Sequence, residues 1–310
     1  MRGGITGTNL AAGTIDSYIS HVTNFVREQF PFFPHLDAIR TPQLRLMLDG
    51  WHKLDDAALP HRLLRRIPLG AAFVQAALAW TRAHTPDPYE RARLSAAIAI
   101  LYGACMRRSE LLQVSGSLAD HALRAHHGAF IWPQSPELYP FTSDPALFPP
   151  GYPCAFTVFN DSTKNSTTGI QPRAVVANPD PLSQFCLVRP VYDYIRAYTC
   201  TAGKGLFPGL SVDPIVHVLR AVATIHGVDP ERCRCHGLRI GSLSQLNSNL
   251  CMDSPNEELK QAHGHWLSAG GHKPYDHAAI AHASRVAHAI YDTQFMSFEF
   301  LRFYYMAPPR

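Results

Sequence analysis

Cys105-Met106-Arg107-Arg108-Ser109-Glu110-Leu111 lies near the end of Glu90–Val114, a run rich in Ala, Leu and Ile with no proline. That run predicts one long buried helix, with Arg107 close to its C-terminal end. A guanidinium there is costly unless it is paired or meets an anion. Glu110 stands three residues on, the helical spacing that puts both side chains on one face, and is positioned to orient Arg107.

The chain around this segment reads mostly as helix. Upstream, Thr14–Val26 places apolar residues at 15, 18, 19, 22, 25 and 26, an amphipathic pattern with Thr14 or Asp16 as its cap. Phe30–Pro34 breaks it, a second helical pattern covers Gln43–Leu54, and Pro68 leads into the apolar stretch Gly70–Trp80. Downstream, the proline-dense residues 130–155 read as a loop. Ala155–Phe159 and Arg173–Ala177 read as two strands joined through the polar turn Asn160–Gly169, a β-hairpin. Helical patterns return at Val191–Tyr198, Pro214–His226, Leu238–Leu250, Asn256–His263 and Ala278–Phe300. The expected class is mainly α with a small β hairpin, that is, α+β.

Composition narrows the possibilities. The 310 residues are 46% hydrophobic and 17% charged, which is enough apolar material for a sizeable core. No run approaches the roughly 20 apolar residues of a membrane span. Met1-Arg2-Gly3-Gly4 is followed by no apolar stretch of the secretory kind, so neither a membrane nor a secreted protein is expected. Seven cysteines, an odd number, fit reduced thiols in an intracellular compartment. A net charge of +4 permits nucleic-acid binding without requiring it.

Three further segments carry chemistry. His236-Gly237-Leu238-Arg239 puts an imidazole and a guanidinium at i, i+3 where a helix opens, and a helix N-terminus favours an anion. Lys164 sits in the hairpin turn. His263-Gly264-His265-Trp266 is followed by a glycine-rich turn and then Tyr275-Asp276-His277. Taken singly, each has an ordinary reading: a helix-end ion pair, a histidine cap, a solvated lysine, an amphipathic tyrosine. A zinc site is an alternative, with Cys233-x-Cys235-His236, His263 and His265 offering thiolate and imidazole ligands, although Cys-x-Cys is tighter than the usual spacing.

The order of these segments carries more than any one of them. Arg-x-Ser-Glu-Leu, a hairpin lysine, His-x-x-Arg, Gly-His and a tyrosine ten residues later resemble the catalytic series of the tyrosine recombinase (phage integrase) family. Arg239-Ile240-Gly241, Cys186-Leu187-Val188-Arg189-Pro190-Val191 and Gly205-Leu206-Phe207-Pro208 resemble its eukaryotic branch, carried by DIRS-type and Crypton-type mobile elements. The resemblance covers about residues 60–310 and implies the recombinase catalytic-domain fold over 61–310. Residues 1–60 would then be a reduced N-terminal core-binding, DNA-clamping part.

The resemblance also implies a function: site-specific cleavage and rejoining of double-stranded DNA without metal, ATP or other cofactor. Tyr275 would attack a backbone phosphate and hold the cut end as a 3′-phosphotyrosine. Arg107 and Arg239 would grip the non-bridging oxygens, such donors contributing about 3–4 kcal/mol each in a transition state. His236 and His265 would donate hydrogen bonds or move protons, Trp266 being a possible stand-in for His265, and Lys164 would protonate the leaving 5′-oxygen. The C-terminal helix 278–305, rich in Phe, Ile and Val, would dock on a neighbouring subunit, giving dimers to tetramers on DNA, or on its own domain. Nuclear placement follows from the eukaryotic resemblance alone. Two other activities fit the same fold, a domesticated DNA-binding protein that does not cleave and a DNA-relaxing enzyme like the type IB topoisomerases.

Overall fold

The chain divides into two compact units, Met1–Arg65 and Arg66–Arg310. The computed structural model describes residues 15, 18–23, 44, 46–49 and 51 of the first unit. In the second it describes residues 67–113, 119, 122–135, 137–158, 173–180, 182–198, 200–201, 203–249, 290–291, 293 and 298. In the first unit every described residue is helical, including 18–23 and 46–49. There the Thr23 hydroxyl donates to the Ile19 carbonyl at 2.7 Å.

The second unit is α+β. Helix α1 (Ala71–His84) buries Ala71, Phe73, Val74, Ala77, Leu78 and Thr81, a stripe at helical spacing. Helix α2 (Pro88–Gly103) starts on Asp87, whose carboxylate accepts from the Tyr89 and Glu90 amides, with Pro88 at the first helical position. From Leu94 to Gly103 every α2 residue is buried, so this helix is enclosed on all sides, packed by α1 and by the helices that follow it.

The sheet has four antiparallel strands in the order β2-β1-β3-β4. They are β1 (Gly128–Ile131), β2 (Leu138–Pro140), β3 (Ala155–Val158) and β4 (Arg173–Val176). The hairpin expected from the sequence is the β3–β4 pair, with Phe156 opposite Val175. The loop expected over 130–155 is not all loop, because β1 and β2 lie within or beside it. Its prolines fall where a strand tolerates them. Pro140 ends the edge strand β2, and Pro145 opens a short 3₁₀ turn capped by Asp144. Phe130, Trp132, Phe141, Phe148 and Tyr192 form the aromatic packing under this part of the sheet.

Among the described residues three longer helices follow, α4 (Val188–Ala197), α5 (Val212–Ile225) and α6 (Cys235–Asn249), after a one-turn α3 (Arg108–Leu111). Helix α4 begins before Pro190 rather than after it. A proline in the first turn lacks only an amide that has no intrahelical partner there. Near the C-terminus, Ile290 and Tyr291 are buried in the unit's own core, and Phe298 stacks on His226 and packs on Phe73. No helix among the described residues is long and apolar enough to cross a membrane.

Candidate active site

The helix predicted over Glu90–Val114 is interrupted, and the interruption builds the site. Helix α2 stops at Gly103 because Cys105 takes a left-handed backbone, φ +48°. The Cys105 amide donates to the Tyr102 carbonyl at 3.2 Å and the Met106 amide to the Leu101 carbonyl at 3.1 Å. This is a Schellman ending, with cysteine at the position usually given to glycine. A side chain in that conformation costs on the order of 1 kcal/mol. The chain leaves the turn extended, and Arg107 becomes the residue before α3 rather than the last turn of a long helix.

The turn is held by arginines from elsewhere in the chain. Arg173, first residue of β4, donates Nη1 to the Ala104 carbonyl at 2.9 Å. Arg239, in the second turn of α6, donates Nη1 to the Cys105 carbonyl. The last carbonyls of a helix lack intrahelical partners and carry partial negative charge, so two cations suit this place. Helix α6 reaches the turn a second time, where the Cys105 thiol donates to Ser242 Oγ at 3.0 Å.

Glu110 links the arginines. Its Oε1 accepts Arg107 Nη1 at 2.8 Å, and its Oε2 accepts the Arg107 backbone amide at 2.9 Å. The same Oε2 lies 3.3 Å and 3.4 Å from the two terminal nitrogens of Arg173. Glu110 is fully buried, while the Arg107 side chain is 29% exposed. Burial pushes the Glu110 carboxyl up, but Arg173 and the bonds from Arg107 outweigh it and hold the group below its ordinary range. Burial, chiefly, pulls both Arg173 and Arg239 down, with Glu110 opposing it in each. Arg239 also feels the charge of Arg107, and Arg173 that of Arg239. Burial raises the Cys105 thiol, keeping it protonated at neutral pH. Three guanidiniums around one carboxylate leave a net positive cluster, an arrangement suited to an anion with several oxygens.

The pairing of Arg107 with Glu110 expected from their spacing is present. His236 stands in the first turn of α6, exposed, with Arg239 one turn further on and buried. Lys164, His265, Trp266 and Tyr275 lie outside the described residues. Arg173 had no signal in the sequence, since a strand-opening arginine is usually solvated, and here only the fold carries it to Glu110.

The zinc alternative raised by the sequence meets the structure only through Cys233, Cys235 and His236, since His263 and His265 lie outside the described residues. Cys233 and Cys235 are buried, and burial, the largest cause in each, pushes their thiols up to about 12. Among the described residues no group of three or more His, Cys, Asp or Glu side chains could hold a metal ion. Tyr291, the next tyrosine after Tyr275 in the sequence, is buried. Its hydroxyl donates to the Val176 carbonyl at 3.0 Å and accepts the Leu187 amide at 2.9 Å.

Comparison of the chain with protein-family models, with curated proteins and with solved structures finds no match.

Proposed function

We propose that the chain is a DNA strand transferase of the tyrosine recombinase type, serving a mobile element. The observation that carries this reading is the meeting of Arg107 and Arg239 at one turn, from segments far apart in the sequence. Both belong to the ordered motif series, and their shared location supports a common ligand. A phosphodiester has the right shape, with two non-bridging oxygens that two planar guanidiniums can hold by paired hydrogen bonds.

In this reaction the Tyr275 oxygen attacks the phosphorus, the bond to the 5′-oxygen breaks, and the phosphate stays on the tyrosine. The phenol's proton leaves to His236, His265 or water, and Lys164 returns a proton to the departing 5′-oxygen. The arginines stabilise the charge that grows on the phosphorane oxygens. Rejoining reverses each step, so no external energy source is needed. Assembly of two to four copies on DNA and action in the nucleus belong to the same reading.

The test is covalent trapping in EDTA. Wild type and Tyr275→Phe are mixed with pooled DNA duplexes carrying nicked suicide sites, then denatured in SDS. An adduct formed by wild type and not by Tyr275→Phe is the expected result. An adduct of equal yield in Tyr275→Phe would remove that tyrosine as nucleophile. DNA binding without any adduct over a broad pool would favour the non-cleaving alternative.

A further inference from the structure

Arg173 belongs to none of the motifs read from the sequence, and it is almost completely buried, with its side chain 2% exposed. A buried guanidinium needs partners for its donors and its charge. Its position gives it two tasks at once. One terminal nitrogen closes the Ala104 carbonyl at the end of α2, and both approach Glu110 Oε2. Glu110 in turn holds Arg107 twice, through its side chain and its backbone amide. Arg173 therefore touches both ends of the segment that presents Arg107.

It also opens β4, the strand that follows the Lys164-bearing segment in the sequence.

We infer that Arg173 is a positioning residue, which fixes Arg107 through the shared Glu110 carboxylate and joins the β3–β4 hairpin to the arginine motif. It acts through Glu110 rather than on the substrate. For its catalytic consequence the inference rests on the strand-transfer reading above. The positioning itself does not.

Two measurements on the full chain separate these. The first is a double-variant cycle in urea, Arg107→Ala with Arg173→Met, run with Glu110 present and again in Glu110→Gln. With Glu110 present, the double variant should exceed the product of the single losses by about threefold or more in the unfolding equilibrium constant. In Glu110→Gln this excess should vanish, since a neutral amide shares no charge between the arginines. Independent effects with Glu110 present would overturn the positioning role. If Arg173→Met does not fold, Arg173→Gln, which removes the charge but keeps a donor for the Ala104 carbonyl, replaces it.

The second is the single-turnover adduct rate against DNA affinity. Arg173→Met should slow adduct formation by about 100-fold, the scale of a small misplacement of a catalytic group. DNA affinity should stay within about threefold, and Arg173→Lys should recover part of the rate. Equal rates for Arg173→Met and wild type would overturn the catalytic consequence. Absence of any adduct from wild type would count against the strand-transfer reading alone, and the urea cycle would still decide the positioning.

Discussion

The Cys105 thiol donates a 3.0 Å hydrogen bond to Ser242 Oγ, so the left-handed residue ending one helix is fastened to another helix of the same core. Arg239, one turn before Ser242, takes the carbonyl of that same cysteine. Helix α6 thus sets the turn from which Arg107 emerges, and this shared fastening separates the effects of the two motif arginines.

Arg107→Ala should lower the adduct rate by about 100–1000-fold, the loss seen when one preorganised donor is removed. Its stability should change little, because the residue is partly exposed. Arg239→Ala should lower the rate comparably and also lower Tm, since the Cys105 carbonyl loses its partner. Equal Tm values for the two variants would contradict this division.

Tyr291→Phe tests whether the second tyrosine is structural. It removes a buried hydroxyl that bridges Val176 and Leu187, and the expected cost is about 1–3 kcal/mol in urea denaturation. Adduct formation by the folded variant should match wild type. Loss of the adduct at full occupancy of the folded state would make Tyr291 a candidate nucleophile.

Gly241→Ala should be more damaging than its size implies. A Cβ at Gly241 would overlap the Leu69 backbone, which has no rotamer to move aside. The Leu69 amide also donates to the Gly237 carbonyl at 2.9 Å, so α6 is held against this segment. Overpacking of this kind costs about 1–3 kcal/mol and sometimes more. An unchanged urea midpoint would show that α6 shifts freely.

Acid should expose the contribution of Glu110. Its carboxyl titrates below the ordinary value of 4.5 in the folded chain, so the unfolded chain takes up the proton at higher pH. The stabilisation is full above about pH 4.5 and is lost as pH falls through the lower, folded value. Urea midpoints of wild type and Glu110→Gln should therefore converge on acidification. A constant gap between them down to pH 3 would mean that Glu110 does not titrate as its surroundings dictate.

What could be read from the sequence depended on how local its cause was. The apolar stretch Gly70–Trp80, the first part of the helix from Glu90 and the β3–β4 hairpin follow from neighbours in the chain, and all three are present, the first two within α1 and α2. The pairing of Arg107 with Glu110 is likewise a matter of three residues. The break after Gly103 is hard to read in the sequence because the left-handed position falls on Cys105, while Gly103 itself keeps a helical backbone. It exists because Arg173, Arg239 and Ser242 hold the turn from 69, 134 and 137 residues away. Strands β1 and β2 escape the sequence for a related reason, the pairing of β2 on β1 and of β1 on β3 outweighing a proline content that argues for loop.

The distant origin of those three contacts bears on synthesis. A growing chain exposes Arg107 and Glu110 long before the ribosome has made Arg239, and β4 comes in between. Until α6 exists, the left-handed turn at Cys105 lacks two of its fastenings. An unfinished polypeptide therefore cannot assemble the arginine cluster before the whole unit has folded around it.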